Sequence, residues 1–219
     1  NYLYTTWGGD TDDVEAHDDK KVIIVLGSGT YRIGSSVEFD YCSVKCVQAL
    51  RNMGYYTVMV NYNPETISTD FDESDKLYFE ELSFERVADI FEKENAYGVI
   101  VSMGGQQPNN IVMKLHEYGI KVLGTAPDSI DGCEDRSRYS GMLDELNISQ
   151  PAWISATNRE DIKAFVEKVQ YPVVVRPSYV LSGAAMRIVH DPDSLELCLC
   201  EAANISPQHP VVLTKFIEK

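Results

Sequence analysis

The 219-residue chain is 44% hydrophobic and carries 19 basic against 34 acidic side chains, a formal charge of −15. That length allows one large or two small domains with cores of their own. The acidity excludes a general nucleic-acid binder, which needs a basic face for the phosphate backbone, and no apolar run approaches the roughly 20 residues of a membrane helix.

Residues 1–20 are polar and acidic and read as a linker, with Tyr2, Leu3, Tyr4 and Trp7 able to dock it on a neighbour. The sequence starts at Asn1 without the basic-then-apolar pattern of a signal peptide. It therefore reads as a piece of something longer. Residues 21–26 (KVIIVL) form an aliphatic run that predicts a buried strand, and Gly27-Ser28-Gly29 follows at once. A helix is predicted over 37–53, stopped by Gly54, then a strand over 57–61 and a short one over 77–79. Residues 84–94 predict a helix with Ser83 as N-cap. A strand over 98–102 precedes Met103-Gly104-Gly105-Gln106, a helix over 109–118 stops at Gly119, and a strand is predicted over 121–124. This alternation predicts a parallel α/β sheet with right-handed crossovers and a crevice at the carboxyl ends of its strands.

After Thr125 the pattern changes. Helices are predicted over 129–146 and 160–169, then strands over 173–176 and 186–189, a helix near 195–203 and a strand over 211–216. That order is α+β. The expected division is 1–20 as linker, 21–127 as the α/β domain, and 128–219 as a second domain comprising a helical segment (128–170) and a strand-rich part (171–219).

Few segments carry chemistry. Gly27-Ser28-Gly29-Thr30-Tyr31-Arg32-Ile33-Gly34 is spaced G-x-G-x-x-x-x-G, neither the dinucleotide fingerprint nor a P-loop. It is either a tight strand-to-helix turn that needs small residues or an anion site at a helix N-terminus. A ribose-binding acid is also missing, because the second strand closes on Asn61. Glu38 and Glu65 follow adjacent strands, where two carboxylates suit an acidic patch, a cation site, the lining of a passage, or plain surface placement. Arg176 ends a β-branched run before Pro177 and the small-residue loop 181–185 (LSGAA). It is either an ordinary surface arginine or a cation delivered to a phosphate, with the loop closing over it. Arg138, on the helix that enters the second domain, is the companion cation. Alternation puts Lys215 and Ile217 on one face, a polar group beside an aliphatic one, as an adenine edge and ring require. The five cysteines form no CxxC pair, and the spacings of Cys42/Cys46 and Cys198/Cys200 are not zinc frameworks. They read as reduced thiols of a cytoplasmic protein. His116 and His190 have no partner at catalytic spacing.

Together, residues 27–42 (GSGTYRIGSSVEFDYC), 60–81 (VNYNPETISTDFDESDKLYFEE), 102–110 (SMGGQQPNN), 134–140 (EDRSRYS) and 174–186 (VVRPSYVLSGAAM) resemble the large synthetase component of carbamoyl-phosphate synthase. The likeness is to its carboxyl-terminal ATP-grasp half, of the eukaryotic pyrimidine-pathway multifunctional type. It implies a parallel-sheet pre-ATP-grasp (Rossmann-like) domain followed by an incomplete α+β ATP-grasp domain. It implies phosphorylation of carbamate by ATP with Mg²⁺ or Mn²⁺. Arg138 and Arg176 would contact the phosphates, Ser182 and Gly183 would close over them, and Lys215 and Ile217 would hold adenine. Ser36, Glu38 and Glu65 would line the channel that brings carbamate. The implied partners are the amino-terminal synthetase half and a glutaminase domain or subunit, in an oligomeric parent. The metal ligands would lie beyond Lys219, so this piece is expected to be inactive alone. The rival readings are another ATP-grasp ligase, such as a biotin-dependent carboxylase, a non-catalytic nucleotide-binding or allosteric module, and an NAD(P) oxidoreductase.

Overall fold

The computed structural model describes residues 8–10, 15, 17, 19–32, 35–156, 158–177, 186–205 and 211–218. They fall into two compact units, residues 1–131 and 132–219. Tyr2, Leu3, Tyr4, Trp7, Ile33, Gly34 and the 181–185 loop lie outside the described residues.

The first unit is built on a five-stranded parallel sheet of order β3-β2-β1-β4-β5. Its strands are β1 (Val22–Leu26), β2 (Tyr56–Val60), β3 (Lys76–Tyr78), β4 (Gly98–Ile100) and β5 (Val122–Leu123). Every residue of β1 is buried, which is why the run reads as continuously aliphatic rather than alternating. Val22, Ile24 and Leu26 enter a core with Val87 and Ile90 of α2 (Phe84–Lys93) and Val112 and Leu115 of α4 (Val112–Glu117). Ile23 and Val25 face the other way, against Val47 and Leu50 of α1 (Val37–Asn52). Helices thus cover both faces, and each fully buried Ile or Val contributes about 1.5–3 kcal/mol.

The helix ends follow local chemistry. Ser83 caps α2, its hydroxyl accepting from Arg86 N–H. Gly54 and Gly119 take left-handed backbone just beyond α1 and α4. The predicted 109–118 helix is two shorter pieces, α3 (Gln106–Asn109) and α4, separated by the turn residues Asn110 and Ile111. The predicted 129–146 helix is likewise two, α5 (Pro127–Glu134) and α6 (Arg136–Glu145). Asp135 makes that break: its carboxylate accepts from Ser137 N–H at 2.8 Å and Arg138 N–H at 2.9 Å, starting α6 anew.

The second unit holds a four-stranded antiparallel sheet of order β6-β9-β7-β8. Its strands are β6 (Trp153–Ala156), β7 (Val173–Pro177), β8 (Arg187–Val189) and β9 (Val211–Lys215). The sequence reading had no strand at 153–156; that segment is short and half-buried, and its pairing partner β9 lies some sixty residues on. One face of the sheet, with Val173, Val175, Val189 and Leu213, packs on Ile162, Phe165 and Val166 of α7 (Arg159–Val169) and Leu195 and Cys198 of α8 (Pro192–Ile205). Asn158 caps α7 by accepting from Asp161 N–H at 2.8 Å.

Candidate functional site

In the first unit the carboxyl ends of β1, β2 and β4 converge on glycines. Gly27 N–H donates to Val60 O at 2.9 Å. A Cβ on Gly27 would overlap the Asn61 side chain, and one on Gly104 would overlap the Gly27 carbonyl. Gly29 has φ +71 and abuts Gln107, so it too has no room for a side chain. Asn61, fully buried at the end of β2, ties the turn together. Its Oδ1 accepts from Gly29 N–H and from Tyr62 N–H, both at 2.9 Å, and its Nδ2 donates to Ser68 Oγ at 2.8 Å. The amide a ligand anion would use at Gly29 is therefore occupied from within. Of the two readings of this loop, the tight turn is the one the geometry builds. The asparagine that stands where a ribose-binding acid would stand is structural.

The predicted channel residues sit around this turn. Ser36 precedes α1 in extended backbone and Glu38 lies in its first turn, exposed. A hydrogen bond from Ser36, and then one from its own backbone, hold the Glu38 carboxyl below the usual carboxylate range. Glu65 is exposed, its N–H donating to Asn63 Oδ1 at 3.0 Å. The two segments are tied by Ser68 N–H donating to Asp40 Oδ2 at 3.3 Å. Ser28 Oγ, Ser43 Oγ, Asp40 Oδ1 and Asn63 Nδ2 are buried here without protein partners, so the edge keeps polar capacity for water or ligand.

In the second unit the cations separate by register. Arg176 lies opposite Val212 and Thr214 opposite Val174, so these four share the sheet face turned away from α7 and α8. Arg176 is half-buried; its guanidinium donates to Thr214 Oγ1 at 2.7 Å, and its Nε is buried with no hydrogen-bond partner. Burial, and then the charge of Arg136, push its pKa down. An anion held near both guanidiniums would offset that repulsion. Arg138, two residues on, is exposed and its N–H belongs to the Asp135 cap. The residue whose charge acts on Arg176 is thus Arg136, the first residue of α6. Lys215 pairs with Val173 and so lies on the other face; its Nζ donates to Gln170 O at 3.2 Å and Tyr171 O at 3.0 Å. Ile217, past the end of β9, is 64% exposed. Ser182 and Gly183 lie outside the described residues. Among the described residues no cluster of His, Cys, Asp and Glu is arranged to hold a metal, and no helix is long and apolar enough to cross a membrane.

Comparison with known proteins follows the same division. Residues 19–132 match the model of the carbamoyl phosphate synthase preATP-grasp domain, and residues 135–219 that of the carbamoyl-phosphate synthase L chain ATP binding domain. The chain is 59% identical over 219 residues to the mitochondrial arginine-specific carbamoyl phosphate synthase large chain of Neurospora crassa, covering 100% of this chain and 19% of that one. It is 55% identical over 218 residues to the multifunctional protein pyr-3 of the same organism, covering 100% of this chain and 12% of that one. It thus spans a fifth or less of the curated relatives it matches. Among solved structures it is similar to the biotin carboxylase domain of the Hydrogenobacter thermophilus 2-oxoglutarate carboxylase, with TM-score 0.65 and 21% identity, covering 92% of this chain and 45% of that one. That likeness is one of fold.

Proposed function

The chain belongs to the carbamoyl phosphate synthase large-chain family, and from that premise we propose that it is the opening part of the half that phosphorylates carbamate. The reaction is transfer of the γ-phosphoryl group of MgATP to a carbamate oxygen, giving carbamoyl phosphate and ADP. The observation that carries this reading is Arg176: a half-buried guanidinium with an unbonded Nε, one edge steadied by Thr214 and a second arginine's charge close by. A polyphosphate answers all three features, because its oxygens accept from the free donors and offset both charges. Arg136, Arg138 and Arg176 are the proposed phosphate ligands, the first two on α6 and the third on β7. Lys215 and Ile217 hold adenine. Ser36, Glu38 and Glu65 line the carbamate passage, which suits a substrate that water destroys.

The solved neighbour is a complex with MgADP, ADP and bicarbonate, which supports ATP and magnesium here. The metal ligands are proposed to come from the rest of the parent's ATP-binding domain, and the carbamate from the other synthetase half, fed by a glutaminase. The product goes to pyrimidine or arginine synthesis, and the pyrimidine route carries with it a multifunctional, oligomeric, cytoplasmic parent. A mitochondrial parent goes with the arginine route, as one relative's name states.

The test is ATP formation from MgADP and carbamoyl phosphate by the parent protein, or by this chain extended through the remainder of that domain, with and without Arg176→Ala. The expected loss is about 10²–10³-fold in kcat, the scale for removing one charge-stabilising donor. Unchanged turnover overturns the role of Arg176. Nucleotide binding with no turnover in the unaltered protein marks a non-catalytic module instead.

A further inference from the structure

The opposite edge of the first unit's sheet carries a second concentration of positive charge. All five strands are parallel, so the residues just before each strand line up along one edge. Lys20-Lys21 precede β1, Tyr97 precedes β4 and Lys121 precedes β5, and the strand order places β1, β4 and β5 side by side. The ladder holds them there: Tyr97 N–H donates to Val22 O at 2.8 Å, and Val99 N–H to Lys121 O at 2.9 Å. Lys20-Lys21 is the only adjacent pair of basic residues in a chain of net charge −15.

The two flanking ammoniums converge on one ring. Lys21 Nζ is 4.4 Å and Lys121 Nζ 3.9 Å from the Tyr97 centroid, and Lys121 Nζ also donates to the Tyr97 hydroxyl at 2.6 Å. In front of them opens a cavity of about 540 Å³ lined by His17, Asp19, Lys20, Lys21, Asn95 and Tyr97, among others. Glu15 and His17, ahead of β1, are each held by a contact. Lys76 Nζ donates to Glu15 O at 2.7 Å, and the His17 ring stacks on Tyr56 at 4.1 Å. His17 Nε2 is buried and has no hydrogen-bond partner. One carboxylate, Asp19, stands among the lining residues against two ammoniums, an imidazole and a carboxamide.

We propose that this amino-edge cavity is a binding site for a phosphate group, distinct from the site on the second unit. Lys20 and Lys21 supply charge-assisted donors, Asn95 an amide, and His17 Nε2 a ring nitrogen that the protein itself leaves unmatched and that donates when it carries the proton. Lys121, held on Tyr97, adds long-range positive potential. The site stands about 16 Å from the glycine turn, the length of the five-residue β1. It does not depend on the carbamate-kinase reading, since no residue is shared.

The experiment is an amide NMR titration of the 219-residue chain with sodium phosphate at fixed ionic strength. Saturable shifts are expected at residues 19–22, 95–97 and 121. Lys21→Gln weakens them about tenfold, the scale of one charge-assisted hydrogen bond. Lys21 is exposed, so the fold is not at risk, and an otherwise unchanged spectrum verifies it. Arg176→Ala, which removes the other phosphate site, leaves the titration as it was. Repeating it with glycerol 3-phosphate separates two sources of the group: equal affinity assigns the site to free phosphate, and tighter binding to an organic monoester. Shifts that do not saturate, that sodium chloride reproduces, or that Lys21→Gln leaves untouched would overturn the proposal.

Discussion

The two sheets use their polar residues in opposite ways. The parallel sheet of the first unit is sealed by helices on both faces, so its strands are aliphatic and polarity is pushed to the strand ends. There most of it is spent on the fold: Asn61 locks the glycine turn at one edge, and Glu94 is fully buried near the other. The antiparallel sheet of the second unit packs on helices through one face. Its other face carries Arg176, whose bonding is incomplete. A sheet covered twice confines chemistry to its loops, whereas a sheet with one face turned from its helices can present a cation from a strand's own residues. Polar side chains of the first sheet should therefore matter for stability, and Arg176 should not.

The largest expected effect is at Glu94. Its carboxylate receives Lys76 Nζ at 2.8 and 2.9 Å and the Tyr78 hydroxyl, with no exposure to solvent. Glu94→Ala strands a nearly buried ammonium and a phenol, and is expected to cost about 3–5 kcal/mol in urea unfolding. The network also sets an alkaline limit. Burial, and then the bond to Glu94, push the Tyr78 phenol well above its ordinary pKa. The folded state keeps a proton that the unfolded chain gives up near pH 10, so this contribution is whole below that pH and falls as pH rises beyond it. Glu94→Ala should flatten that alkaline slope. A loss under 1 kcal/mol with the slope intact would show the pair to be ornamental, and the contrast between the sheets would fail on its stronger side.

Asn61 comes next. Asn61→Ala removes the acceptor for two backbone N–H groups and the partner of Ser68, with an expected loss of about 1–3 kcal/mol. Asn61→Asp keeps the acceptor and should lose less. Hydrogen exchange at Gly29 and Tyr62 gives the local reading, and it should rise in the alanine variant. If both amides stay protected there, the turn is held by glycine packing alone.

Much of this was legible before the structure. The β-branched run at 22–26 and the glycine stops after α1 and α4 are strong because burial on two faces and left-handed termination leave few residue choices. The short strand at 153–156 was not legible: its half-buried run carries no period, and its partner is distant in sequence. The Asp135 break hid inside a helical composition, although an aspartate followed by Arg-Ser-Arg is a cap signal that could have been taken. The site divides in the same way. The motif drew attention to Arg138, and the structure adds Arg136 on the same helix, whose charge acts on Arg176. The role of Asn61 was visible only as an absence, the missing acid at the end of β2. Its positive role needed the register of three loops.

Arg176 sits at the other end of the scale. Beyond its bond to Thr214, its Nε is left unbonded in a buried position, and burial and then a like charge nearby lower its pKa. Each of these makes the charged side chain a burden on the folded state unless an anion is bound. Arg176→Leu keeps much of the aliphatic stem that packs along the sheet and removes the burden. The ligand-free variant is therefore expected within about 0.5 kcal/mol of the unaltered chain, or more stable. MgATP should raise the melting temperature of the unaltered parent more than that of the variant, because a ligand stabilises only the state that binds it. If Arg176→Leu instead costs as much as Glu94→Ala, the arginine is a structural strut of the antiparallel sheet, and the two sheets do not differ in the way their polar residues suggest.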